Sequence, residues 1–187
     1  TVAVLDAFHV VKLGTTAVDE VRRRVQQDTL GHRGRRGDAL YGIRNILRAG
    51  QERLTDRQKA RLDAAFTQRE EHVEVEATWG IYQRIVAAYR ESYKKKAKEM
   101  MRSVIDSVSS GVPAMLAEIR RLGRTLKQRA ADVLAFFDLP GTSNGPTEAI
   151  NGRLEHLRGS ALGFRNLANY TARSLLEAGG FRPSLHP

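Results

Sequence analysis

Glu148 stands in the run Ser143-Asn144-Gly145-Pro146-Thr147-Glu148-Ala149-Ile150-Asn151-Gly152-Arg153, where a turn-forming cluster opens a helix. Pro146 suits the first helical position, because an N–H there would find no partner within the helix. Glu148 then falls in the first helical turn, where the helix dipole favours its ionised form. An ionised carboxylate held beside cationic surface is what a divalent metal and a phosphodiester both require. The plain alternative is a carboxylate that only complements the dipole. Asn151 lies one turn further on the same face, placed to orient that carboxylate, to touch a phosphate, or simply to be solvated. Asn144 suits a cap better than a substrate contact. Arg153, Arg158 and Arg165 follow closely and are candidates for holding an anionic chain near Glu148.

Asp6 and His9 form a second group at the other end of the chain. A carboxylate and an imidazole three residues apart can bind a metal or buttress a site, or can form a structural pair at a helix start. Two ligands alone do not make a zinc site. Arg33, Arg35 and Arg36 sit on the glycine-spaced loop Gly31-His32-Arg33-Gly34-Arg35-Arg36-Gly37, which can adapt to a phosphate backbone or lie solvated. Lys94, Lys95, Lys96 and Lys98 read as a solvated helix face before they read as a DNA contact. Trp79, Tyr82, Phe136 and Phe137 lie on apolar stripes and are expected in the core, not stacked on bases.

Composition narrows the partners. Lys plus Arg number 31 against 21 acidic residues, a net charge of +10, which favours an anionic partner with nucleic acid first. The basic residues are not confined to one amphipathic helix, so no membrane partner is expected, and no apolar run approaches the roughly 20 residues of a span. Cysteine is absent, which excludes disulfides and thiolate zinc sites within these 187 residues and fits a cytoplasmic protein. The chain begins at Thr1 and enters an apolar run at once, as expected of a piece of a longer protein.

The elements that must position these groups are mostly helical. Val2-Ala3-Val4-Leu5 is short, apolar and partly β-branched, and predicts a buried strand ending at Asp6. A single strand needs sheet partners, so either the run is no strand or its partners lie upstream. Ala7 to about Gln27 predicts a helix whose apolar stripe is imperfect around Gly14. A short helix is expected around Tyr41–Leu47, and Thr55 is a plausible N-cap for the next. Helices follow through Trp79–Tyr89 and through the lysine run to Val108, and Pro113 is placed to start another. Val133–Phe137, the Glu148 helix and a last helix through Leu176 complete the pattern, with residues 179–187 as a loose tail.

Three segments together resemble the carboxyl-terminal part of ISL3-type insertion-sequence transposases: Val4-Leu5-Asp6-Ala7-Phe8-His9-Val10-Val11-Lys12-Leu13, the helical stretch between about 14 and 138, and Ser143–Gly152 followed by Gly163-Phe164-Arg165-Asn166 and a closing helix. The likeness covers nearly the whole chain. The Asp-x-Phe-His-Val-Val-Lys and Ser-Asn-Gly-x-x-Glu-x-x-Asn blocks are fairly specific in this order and weak singly.

The resemblance implies a DDE enzyme on a ribonuclease-H-like fold that cleaves and joins DNA phosphodiesters with two divalent metals, Mg²⁺ or Mn²⁺. It implies a mostly α chain: the last part of a truncated α/β catalytic domain plus a helical insertion. On that basis residues 1–30 hold the end of the catalytic sheet and the following helix, 31–138 the insertion, 139–178 the helices carrying the last carboxylate, and 179–187 a tail. Glu148 matches the third metal-binding carboxylate. Asp6 matches either the aspartate one strand beyond the second carboxylate or that second carboxylate itself, with His9 and Asn151 supporting. Arg33, Arg35, Arg36, Arg153, Arg158 and Arg165 are the DNA-contact candidates. Double-stranded DNA (transposon ends and target), self-association and a bacterial, nucleoid-associated cytoplasmic location are further implications. The family's cysteine-rich zinc element, helix-turn-helix and early strands have no counterpart here, so no catalysis is expected from these residues alone. The alternative is a non-catalytic basic helical module for DNA binding or assembly.

Overall fold

The computed structural model describes residues 3–139, all within one compact unit. Seven α-helices are present among them: α1 (Ala7–Leu30), α2 (Ala39–Gly42), α3 (Asp56–Thr67), α4 (Val73–Arg90), α5 (Lys94–Ser109), α6 (Ala117–Gln128) and α7 (Ala130–Asp138), with 3₁₀ turns at Ile46–Arg48, Gln51–Arg53 and Glu70–His72. No strand occurs among the described residues. The strand expected at Val2–Leu5 is therefore not seen there: residues 3–6 are non-helical, and the Leu5 N–H donates to the Asp132 carbonyl at the start of α7, not to a sheet neighbour. A short apolar run fits a buried lead-in as well as a strand, and Leu5 packs against the helical core.

Helix α1 is the axis. Its first half, through Val10 and Ala17, shares a core with Ile85, Ala88, Met101, Leu122, Leu126 and Phe137 from α4, α5, α6 and α7. Its second half, through Val18, Val21 and Val25, packs with Leu40, Leu47, Leu62, Phe66, Val75 and Tyr82. The start of α1 thus lies beside the end of α4, and the two run antiparallel. They pack tightly at Gly14, where a Cβ would stand 2.9 Å from Tyr82 Cδ2. The gap in the apolar stripe at Gly14 is where Tyr82 seats. Tyr82 is buried with its hydroxyl donating to the Arg48 carbonyl at 2.7 Å, and Phe137 is buried; Trp79 is half-buried on the cluster of Tyr82 and Phe136 on that of Phe137.

Local chemistry sets the helix ends. Thr55 caps α3 as expected, with a reciprocal box in which the Gln58 N–H donates to Thr55 Oγ1 and the Thr55 N–H to Gln58 Oε1 at 3.0 Å. Pro113 does not begin α6. It opens a turn closed by the Leu116 N–H on the Pro113 carbonyl, and the helix starts at Ala117. Arg24 ties three elements together, donating to Glu118 at 2.8 Å and Glu74 at 2.6 Å and to the Met115 carbonyl at 3.1 Å. Glu118 is itself buried; burial works against its charge, yet the hydrogen bonds and charge of Arg24 hold its carboxyl below the ordinary range. No helix among the described residues is long and apolar enough to cross a membrane.

Candidate functional site

Asp6 sits at the helix start, buried and 5 % exposed. It is the N-cap of α1, with extended backbone (φ −72°, ψ 165°), and Oδ1 accepts the His9 backbone N–H at 3.0 Å. The same oxygen lies 2.6 Å from His9 Nδ1, so the imidazole is held by the carboxylate as well. Cap and pair coincide because three residues separate them, which is the N-cap to N3 distance of any helix. Behind them stands an aromatic wall: Tyr89 stacks on Phe137 at 5.3 Å and meets Phe136 edge-on at 5.3 Å. Burial, with the nearby Asp6 charge adding, pushes the Tyr89 phenol well above its ordinary value, and its hydroxyl is buried without a hydrogen-bond partner among the described residues.

Carboxylate oxygen is the donor type that Mg²⁺ or Mn²⁺ prefers. The donor number is not reached, however: among the described residues no three ligating side chains come together, and Asp6 and His9 make no metal centre by themselves. Glu148, Asn144, Asn151, Arg153, Arg158 and Arg165 lie outside the described residues.

The loop carrying Arg33, Arg35 and Arg36 is built, not slack. Gly31 closes α1 in the left-handed conformation at φ 73°, with its N–H on the Gln27 carbonyl. The Asp38 carboxylate accepts the Arg35 backbone N–H at 2.5 Å and Gln26 Nε2 at 3.3 Å, while the Gly34 N–H donates to His32 Nδ1 at 3.2 Å. Gly34, at φ 123°, has no room for a side chain between Tyr41 and Gln26. The three guanidinium groups are exposed, and none pairs with a carboxylate among the described residues. The loop backbone is pinned and its charges are left outward. Beside it opens a cleft of about 180 Å³ lined by Gln26, Asp38, Gln68, Arg69 and His72 among others.

The lysine run behaves differently. Lys96 bonds Glu91 at 2.6 Å, Lys98 bonds Asp138 at 2.5 Å, and Lys94 lies 5.7 Å from the centre of the Phe136 ring. Most of that charge is spent inside the protein. Sequence reasoning missed two other cations, Arg120 and Arg124, which are exposed on α6 and unpaired among the described residues. Their i, i+4 spacing opposite the buried Ile119, Leu122 and Leu126 was the available signal.

A family model for ISL3-type DDE transposases, described as Transposase, matches residues 1–174. No curated protein and no solved structure matches the chain.

Proposed function

The chain belongs to the ISL3 family of transposases, and from that premise we propose that it carries the last catalytic carboxylate and the helical insertion of an enzyme that cleaves and joins DNA phosphodiesters. The observation that supports this most is the unbroken family match from residue 1 to residue 174, which takes in both the Asp6 and the Glu148 motif blocks.

Glu148 serves as a metal-binding carboxylate, a role that suits the first-turn position its sequence predicts, where a helix dipole favours the ionised form. Asp6 is the second carboxylate or lies one strand beyond it. Its orientation is fixed by His9, which acts as a positioning residue. When bound, a pair of Mg²⁺ or Mn²⁺ ions supplies neutralising charge at the scissile phosphate and a water or hydroxyl of lowered pKa. Arg33, Arg35 and Arg36 hold the DNA backbone as outward charges on a pinned loop, so little ordering entropy is lost when they engage. Arg153, Arg158 and Arg165 hold DNA near Glu148, and Asn151 orients the carboxylate. The remaining ligands come from the rest of the intact protein, so this chain alone is inactive.

The test is cleavage of a transposon-end duplex by the intact enzyme. Strand cleavage requires Mg²⁺ or Mn²⁺, stops on chelation and resumes when the ion is restored. Cleavage that persists in excess chelator removes the metal-dependent reading.

A further inference from the structure

Helix α6 has two unlike sides. Ile119, Leu122 and Leu126 are buried, and Gly123 lies so close to α5 that a Cβ would overlap the Val108 carbonyl oxygen. Arg120, Arg124 and Lys127 are exposed on the other side, at i, i+4 and i+7, a row about 10 Å long. Neighbouring cations are paired: Arg121 with Glu20, Arg129 with Asp132, Lys98 with Asp138, and Arg24 with Glu74 and Glu118. Arg120, Arg124 and Lys127 have no carboxylate partner among the described residues.

Between this face and the end of α5 lies a cleft of about 220 Å³, walled by Ser109, Ser110, Gly111 and Val112 on one side and by Arg120 and Arg124 on the other. The backbone N–H groups of Ser110, Gly111 and Val112 donate to no acceptor among the described residues. Gly111, at φ 70°, turns the chain here. The ordinary use for arginines at this spot is to donate to the last carbonyls of α5. Neither does so. Two arginines and a turn whose backbone N–H groups have no protein acceptor among the described residues, lining one cleft, are the chemistry that holds a phosphate. The volume is below the roughly 300–1,000 Å³ of an organic-ligand pocket, which fits a single phosphate group, and Lys127 extends the row along a linear polyanion.

We propose that this α5–α6 cleft is a second DNA-backbone site, separate from the Arg33–Arg36 loop, in which Arg120 and Arg124 grip a phosphate of the bound duplex. It rests on the nucleic-acid reading above. The experiment measures binding of the 187-residue chain to a short duplex by anisotropy between roughly 50 and 200 mM salt. Arg120→Gln/Arg124→Gln lowers the slope of log affinity against log salt by about 0.9, the share of the one phosphate the pair neutralises. Arg120→Lys/Arg124→Lys keeps the slope, and Arg121→Gln, whose side chain is already paired with Glu20, leaves it unchanged. Should the double Gln variant fail to fold, Ser110→Asp places a negative charge in the cleft and weakens binding about tenfold; unchanged affinity there overturns the site. Salt-sensitive binding that the folded double Gln variant leaves unchanged also overturns this site alone. Absence of salt-sensitive binding by the parent chain overturns it together with the nucleic-acid reading.

Discussion

Asp6 and His9 are joined twice: Oδ1 of the aspartate accepts the His9 backbone N–H at 3.0 Å and stands 2.6 Å from His9 Nδ1. A carboxylate proposed for catalysis is therefore also the cap of the longest helix among the described residues. The two roles separate by substitution. Asp6→Ala loses the cap and costs about 1 kcal/mol of stability, whereas Asp6→Asn keeps most of it, because Asn caps nearly as well as Asp. If Asp6 is the second carboxylate, the intact enzyme carrying Asp6→Asn melts like the parent but loses metal-dependent cleavage. If it lies one strand beyond, cleavage survives. Thermal unfolding and a cleavage assay on the same preparation decide between these.

Arg33→Gln/Arg35→Gln/Arg36→Gln changes binding and not stability, since the loop is pinned by Asp38, Gln26 and His32 and not by the guanidinium groups. The salt slope of duplex binding falls by up to about 2.7, with the melting temperature unchanged. An unchanged slope removes the loop from the DNA contact.

The contact of α6 on α5 has no room at Gly123. Gly123→Ala drives a methyl into the Val108 carbonyl and destabilises by about 1–3 kcal/mol. Gly80, inside α4, has nothing within 4 Å of its would-be Cβ, so Gly80→Ala stabilises by about 0.5–1 kcal/mol. Denaturant midpoints moving in opposite directions check both.

Glu118 makes the fold acid-sensitive. Its folded carboxyl is held below the unfolded value of 4.5, so it contributes stability above that value and loses it as pH falls through the folded value. Glu118→Gln, which leaves the partly exposed Arg24 with Glu74, costs about 1–2 kcal/mol near neutral pH. The gap between parent and variant closes as pH falls below the unfolded value of 4.5 and through the lower folded value. Melting curves from pH 7 to pH 3 follow it; a constant gap contradicts the assignment.

Local signals in the sequence translated well. Thr55 marked the start of α3, because caps are built from neighbours in sequence, whereas α1 runs on from the expected end at about Gln27 to Leu30, where Gly31 closes it. Val2–Leu5 misled because a short apolar run carries too few periods to separate a strand from a buried lead-in, and Leu5's true partner, Asp132, is far along the chain. Pro113 misled because proline starts turns as well as helices. The Arg24 network was invisible: its acids lie 50 and 94 residues away. At the site, the pairing of Asp6 with His9 was legible from spacing. The freedom of Arg120 and Arg124 was not, since it depends on which acids the fold spends on their neighbours.

The most direct test concerns Glu148. In the intact enzyme, Glu148→Ala reduces Mg²⁺-dependent strand cleavage by at least about 100-fold while duplex affinity and its salt dependence stay those of the parent. Cleavage that continues at the parental rate in this variant contradicts the assignment of Glu148 as a catalytic carboxylate.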